Sequence, residues 1–316
     1  MVDIARERAA RLAALPLERI GGSYQSFLKG TRHAVRDLLG HRELLGLLVR
    51  RELKARYKDS ALGFLWTLIR PIVMLLIYYF AIGYFLGAQR QIPMFAIFVF
   101  AGLTLWGLWS EVLTAGTMSI LTNAGLIKKV YVPRELFPLA AVGSALVNFG
   151  IQMIVLIGAM VVFGQFVFTW DLLYLLPGTL VILVLATAFS LLLSALNVYL
   201  RDVQYLVEVS VLMLFWASPI VYSYQMVHEA LKGNWIEQLY LANPITVSIL
   251  AFQKAAWLPG PSVQTQLSED MGIDPATFMP ADLDLRLAIM GIVSLLFLWF
   301  SHRVFLRLQG NFAQEI

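Results

Sequence analysis

A set of apolar runs, each about as long as a bilayer is thick, limits what this chain can fold into. A hydrocarbon core of roughly 30 Å takes about 20 helical residues to cross at 1.5 Å each. Six stretches reach that length: Leu65–Leu86, Phe95–Ile120, Leu136–Phe163, Leu172–Leu200, Val203–Tyr224 and Leu285–Leu306. The fourth and fifth are parted only by a hinge at Arg201-Asp202, but together they are far too long for one crossing. The expectation is an all-α integral membrane protein with six transmembrane helices.

The placement of charge supports this reading and orients it. Only 14% of the 316 residues are charged, against about 25% in a typical soluble domain. Of the 24 Lys and Arg, 13 precede residue 60. Lys128, Lys129 and Arg134 lie between the second and third runs, Arg201 in the hinge, and Arg303 and Arg307 at the end of the sixth. The alternate loops are poor in base, and the last of them is acidic (Glu229, Glu237, Glu269, Asp270, Asp274, Asp282, Asp284). Basic residues stay on the cytoplasmic side, so both termini are expected in the cytoplasm. The basic N-terminal segment suits the anionic inner leaflet, and no nucleic-acid-binding motif accompanies its charge. It also lacks the apolar stretch and cleavage site of a secretory signal.

Three regions are neither crossings nor turns. Residues His41 to Lys58 read as an amphipathic interface helix, with Leu45, Val49, Leu53 and Tyr57 in one row and Arg50, Lys54 and Lys58 in another. Residues Gln225 to Leu258, broken at Asn243-Pro244, suit short re-entrant helices on the outer side before the last span. Residues Pro259 to Asp284, rich in Pro, Ser and acid, read as an exposed external loop. The organisation expected is a basic extension (1–40), the interface helix (41–58), a transmembrane domain (60–310) that includes the outer segment (225–284), and a short cytoplasmic tail (311–316).

The chain carries no phosphate-binding G-x-x-x-x-G-K-[ST] run, no nucleophile elbow and no zinc-protease motif. It has no cysteine, and its four histidines (His33, His41, His228, His302) are scattered, so no metal site is expected. Glu111 and Glu208 are the clearest carboxylates within the runs. Each is expected to face protein or water, either as a pathway residue or in a pair with a neighbouring helix. Tyr78, Tyr79, Trp106, Trp109, Trp216 and Tyr222 stand among many aromatics. Interfacial belts account for Trp66, Trp170 and Trp299. They account less well for Tyr78, Tyr79, Trp106 and Trp216, which lie deeper, and an aromatic path that stacks on sugar rings stands beside the belt reading.

Several fragments resemble those of the ABC-2 type polysaccharide export permeases. Ser60-Ala-Leu-Gly-Phe-Leu-Trp66-Thr-Leu-Ile-Arg70-Pro71 is similar to that family's entry to the first span. Asn123-Ala-Gly-Leu-Ile-Lys-Lys-Val-Tyr-Val-Pro133-Arg134-Glu135 is similar to its cytoplasmic loop between spans two and three. Asn197-Val-Tyr-Leu-Arg201-Asp202-Val203, Ser218-Pro219-Ile220-Val221-Tyr222 and Asn243-Pro244 follow in order across about 250 residues. Members export O-antigen, capsule or wall teichoic acid precursors on lipid carriers. The resemblance implies a homodimer in the bacterial inner membrane with two separate ATPase subunits, which would bind the ATP and Mg.

The same resemblance implies a coupling helix at Asn123, Leu126, Ile127, Lys128, Lys129, Val130, Tyr131, Pro133, Arg134 and Glu135. It makes the interface helix, with Arg50, Arg51, Lys54 and Arg56, a second contact to the ATPase. Trp66, Arg70, Pro71 and Pro219 would belong to a lateral gate for the lipid anchor, between spans one and five. Two departures stand out: about 40 residues precede the family's usual start, and 259–284 looks like an insertion. Alternatives are an ABC-2 exporter of a drug or small lipid, an ion-coupled transporter using Glu111 or Glu208, and a membrane-bound sugar transferase.

Overall fold

The computed structural model describes residues 40–56, 65–129, 132–232, 234–275 and 278–315. Among these residues every regular element is helical. Helix α1 (Arg42–Arg56) comes first. The first apolar run forms α2 (Leu65–Ile77), which carries Pro71 in its interior and continues as a π-helical stretch, Tyr78–Phe85, up to the left-handed Gly87. Then come α3 (Phe95–Thr122), the short α4 (Ala124–Ile127), α5 (Leu136–Val162) and α6 (Leu175–Tyr199), the last entered through a 3-10 turn at Trp170–Tyr174. Five helical stretches among the described residues are long and apolar enough to cross a membrane: Leu65–Phe85, Phe95–Thr122, Leu136–Val162, Trp170–Tyr199 and Leu283–Asn311. This is the composition of a multi-pass membrane protein.

The fifth run is shorter than its sequence suggests. Helix α7 covers Val203–Trp216, 14 residues, about 21 Å at 1.5 Å each. The chain reverses at Ser218-Pro219, where proline donates no N–H and disfavours helix in the residue before it. The Ser218 hydroxyl caps the end by donating to the Leu214 carbonyl at 2.8 Å. Ile220 and Val221 prolong the apolar pattern past the point where the helix has ended.

The segment after α7 breaks into three short helices because three side chains cap them. Ser223 opens α8 (Tyr224–Leu231), Asn234 opens α9 (Trp235–Leu241), and Asn243 opens α10 (Pro244–Ala256) with proline at the first helical position. Helix α10 is buried along nearly its whole length and packs on α3 and α6. Residues 259–275 and 278–282 do not form the exposed loop expected. They hold α11 (Pro261–Thr265) and a π turn, Gln266–Asp270, and Val263, Leu267, Phe278 and Met279 are buried. The polar composition that suggested a loop sits on the solvent face of a segment whose spaced apolar side chains fill the core. Gln165, from the loop after α5, clasps the segment by donating to the Ser262 hydroxyl at 2.9 Å and accepting from the Ser262 N–H at 3.2 Å. Trp257 donates to the Pro93 carbonyl at 2.6 Å and meets Phe98 and Phe278 at ring distances of 5.1 and 5.0 Å.

Helix α12 (Leu283–Leu308) packs along α6, and α13 (Phe312–Glu315) closes the described chain. Helix α3 lies at the centre, against α5, α6 and α10. The contact between α3 and α6 is close because Gly116 leaves room for Ser190, as small residues do where membrane helices approach tightly. By contrast, the first span is barely packed, and Ile72, Val73, Met74, Leu76, Ile77 and Phe80 are exposed along it.

Candidate functional site

A cavity of about 510 Å³ opens between the first span, α3, α5 and α7. The first span contributes Trp66, Pro71 and Tyr78; α3 contributes Phe100, Trp106 and Glu111; α5 contributes Asn148 and Gln152; α7 contributes Phe215. Trp106 and Phe215 meet edge to face at 5.5 Å. Gly107 makes space for the Gln152 amide, which would lie 3.1 Å from a Cβ at that position. Asn148 donates to the Glu111 carboxylate at 2.6 Å. Five aromatic side chains thus share the wall with aliphatic ones and with a polar patch made by a carboxylate and two amides.

The structure brings together only some of the aromatics named from sequence. Tyr78 and Trp106 line the cavity, together with Trp66 and Pro71. Trp109 is buried on the far side of α3, edge to face with Phe189 at 5.6 Å. Tyr79 is half-buried against Phe80. Trp216 is exposed at the end of α7, and its carbonyl accepts from the Tyr222 hydroxyl at 3.0 Å. Pro219 is buried, its carbonyl accepting from Gln253 at 2.6 Å. Arg70 is helical, and its side chain lies outside the described residues. Glu208 lies on an exposed face of α7. Asn148 and Gln152 were not singled out from sequence, although their spacing of one helical turn within an apolar run was a readable signal.

At one end of the bundle, the predicted coupling residues sit on a second apolar cluster. Leu48 of α1, Ile120, Leu136, Phe137, Phe305 and Phe312 form its centre, and Leu126, Ile127 and Val132 pack on it. The apolar row of α1 is turned toward protein here: Val49 fits against Gly143 of α5, where a Cβ would come within 2.6 Å of it. The Asn123 amide donates to the Ser119 carbonyl at 2.8 Å and accepts from the Arg51 guanidinium, tying α1 to the start of α4. Lys128 and Lys129 are exposed, as are Arg50, Arg51 and Lys54. Pro133 is half-buried and Glu135 buried. Arg134 stacks on Phe312. Val130, Tyr131, Tyr57 and Lys58 lie outside the described residues, as does the side chain of Arg56. Two separate parts of the sequence, α1 and Lys128-Lys129, thus present exposed basic side chains over one apolar base.

At the opposite end, His228 and Glu237 join α8 to α9 through a ring nitrogen 2.6 Å from the carboxylate. Tyr224 donates to the same carboxylate at 2.8 Å. Hydrogen bonding from His228, aided by Tyr224 and the nearby Arg286, holds the Glu237 carboxyl below the usual range against the opposing effect of burial. Burial and the adjacent carboxylate push the Tyr224 hydroxyl up. Burial, with neighbouring Tyr222, does the same for Tyr240. Arg286 bridges Asp282 at 2.7 Å and Gln238 at 2.8 Å, fastening α9 to the start of α12.

Residues 43–257 match the family model described as ABC-2 type transporter. An O-antigen export system permease protein RfbA of Myxococcus xanthus is 31% identical over 219 residues, covering 69% of this chain and 82% of the relative. A protein of the same name from Klebsiella pneumoniae is 29% identical over 215 residues, covering 67% and 79%. The matched region contains the cavity and the exposed bases of the platform, and stops just before the segment 259–284. With a family match across more than half of its length, the chain belongs to the ABC-2 type transporter family.

Proposed function

We propose that this chain is the transmembrane subunit of an ATP-driven exporter of a lipid-linked polysaccharide of the O-antigen, capsule or teichoic acid type. The reading is carried by the relatives named as O-antigen export permeases, which align over about four-fifths of their own length. The chain hydrolyses nothing, and ATP and Mg are bound by two partner ATPase subunits. Those subunits engage the platform formed by α1, α4 and Lys128–Lys129. The exposed bases over an apolar base support this, because interfaces combine an apolar centre with a charged rim. A shift in ATPase state moves the permease only so far as the two states bind this platform differently.

Two copies work together in the bacterial inner membrane, with the cargo path along their shared face. The thinly packed first span and the exposed side of α7, beside an aromatic cavity, support this arrangement. The topology has six spans with both termini in the cytoplasm. Helix α7 is the short one, completed by the buried turn at Ser218, Pro219 and Ile220; irregular backbone is tolerated at membrane depth when protein covers it. Helices α8, α9 and α10 are the re-entrant elements of the outer side.

The test is ATP turnover by the permease–ATPase complex in nanodiscs. An undecaprenyl-linked O-polysaccharide should stimulate turnover, and small amphiphilic drugs should not. Stimulation by the drugs alone, or ATP hydrolysis by this chain without its partner, would overturn the reading.

A further inference from the structure

A second apolar groove, about 530 Å³, runs between α6 and α12 on the outer surface of the bundle. Its walls are Pro177, Leu180, Val181, Leu287, Ala288 and Leu295, and Gly291 leaves its middle open. A Cβ at Gly291 would only touch Val181 at 3.8 Å, so the helices do not need that glycine in order to approach. Measured along α12 from Asp284 to Leu295, the groove is about 16 Å long. That is half of a hydrocarbon core of roughly 30 Å, or one leaflet.

One end of the groove is charged. The Lys254 ammonium donates to the Tyr174 hydroxyl at 2.8 Å and lies 4.0 Å from the centroid of its ring. The Asp284 carboxylate stands beside the same hydroxyl. An anion therefore lines the mouth of a greasy channel one leaflet deep, with a cation directly behind the Tyr174 hydroxyl beside it. We infer that this groove is a specific site for one phospholipid with a zwitterionic ammonium-phosphate headgroup, its acyl chain along α12, its phosphate toward Lys254 and its ammonium toward Asp284. The charge pair favours such a headgroup over a purely anionic one, which Asp284 repels. The surrounding surface of α12 is apolar and exposed at Leu285, Ile292 and Leu296, as expected of a helix bathed in lipid.

The test is native mass spectrometry of the full-length chain titrated with palmitoyl-oleoyl phosphatidylethanolamine or the matching phosphatidylglycerol. One phosphatidylethanolamine should remain per chain, held about tenfold more tightly than phosphatidylglycerol. Gly291→Phe, which fills the groove, should remove it. Should that variant fail to fold, Ala288→Leu narrows the same channel and should weaken retention. Lys254→Ala should erase the preference between headgroups. Unchanged lipid retention in a folded groove-filling variant, or equal retention of the two lipids by the parent, would overturn the proposal. So would efficient cross-linking between copies through Leu180→Cys and Leu295→Cys, which would make the groove an interface between chains.

Discussion

The Arg134 guanidinium lies 5.7 Å from the centroid of the Phe312 ring, joining the loop after α4 to the last described helix. Phe312 is fully buried and also meets Phe305 at 5.6 Å and Tyr199 at 6.2 Å. The Tyr199 hydroxyl donates to the Leu308 carbonyl at 2.7 Å. The C-terminal turn is thus part of the platform's base. Phe312→Ala should cost about 3 kcal/mol of local stability through poorer packing, while Arg134→Lys should cost about 1 kcal/mol or less, since a cation remains above the ring. Limited proteolysis at the C-terminus and thermal unfolding in detergent would measure both.

Lys128 is exposed, so reversing its charge should leave the fold intact. Lys128→Glu together with Leu126→Ala should weaken association with the ATPase about tenfold, because the interface then meets the wrong charge and a truncated apolar side chain. Co-purification of the two subunits and export in cells are the readouts. Unaltered assembly and export would remove α4 from the coupling role.

Gly116 would place a Cβ 2.0 Å from the Ser190 hydroxyl. Gly116→Ala should therefore destabilise the packing of α3 on α6 by about 1–3 kcal/mol. Ser190→Gly in the same chain should recover most of that deficit, because it removes both of the nearest atoms. Thermal unfolding of the single and double variants forms the cycle that measures the coupling.

The depressed pKa of Glu237 gives α8 and α9 a pH dependence of known sign. A carboxylate stabilised in the folded state contributes fully above its unfolded pKa, and the contribution disappears as pH falls through the lower folded value. Glu237→Gln should therefore be less stable than the parent near neutrality, with the gap closing as pH falls below the ordinary carboxylate range. Thermal unfolding of the two proteins from about pH 7 to about pH 3, beneath the usual carboxylate value of about 4.3, would trace it.

The sequence made the long helices legible because a bilayer dictates both their length and their composition. It was less informative where one local residue outweighs the pattern. Leu214 through Val221 reads as continuous apolar chain, yet Ser218-Pro219 ends α7 after Trp216. The segment 259–284 is rich in Pro, Ser and acid, yet the placement of Val263, Leu267, Phe278 and Met279 decides its burial. The deep aromatics were visible as a class, but helical phase separates Trp106, which faces the cavity, from Trp109, which faces Phe189. Asn148 and Gln152 carry the polar part of that cavity, and their significance depends on α3 bringing Glu111 opposite them, which one helix's sequence does not reveal.

The Trp257 indole, hydrogen-bonded to Pro93 and wedged between Phe98 and Phe278, locks the loop before α3, the end of α10 and the segment 259–284 into one block. The first span, by contrast, leaves Ile72, Met74, Ile77 and Phe80 exposed. On the proposed reading, a motor stroke would meet a densely packed frame on one flank and a thinly packed wall on the other. Widening the proposed passage would then fall to the thin wall, and the frame could stay still while large cargo moved past it.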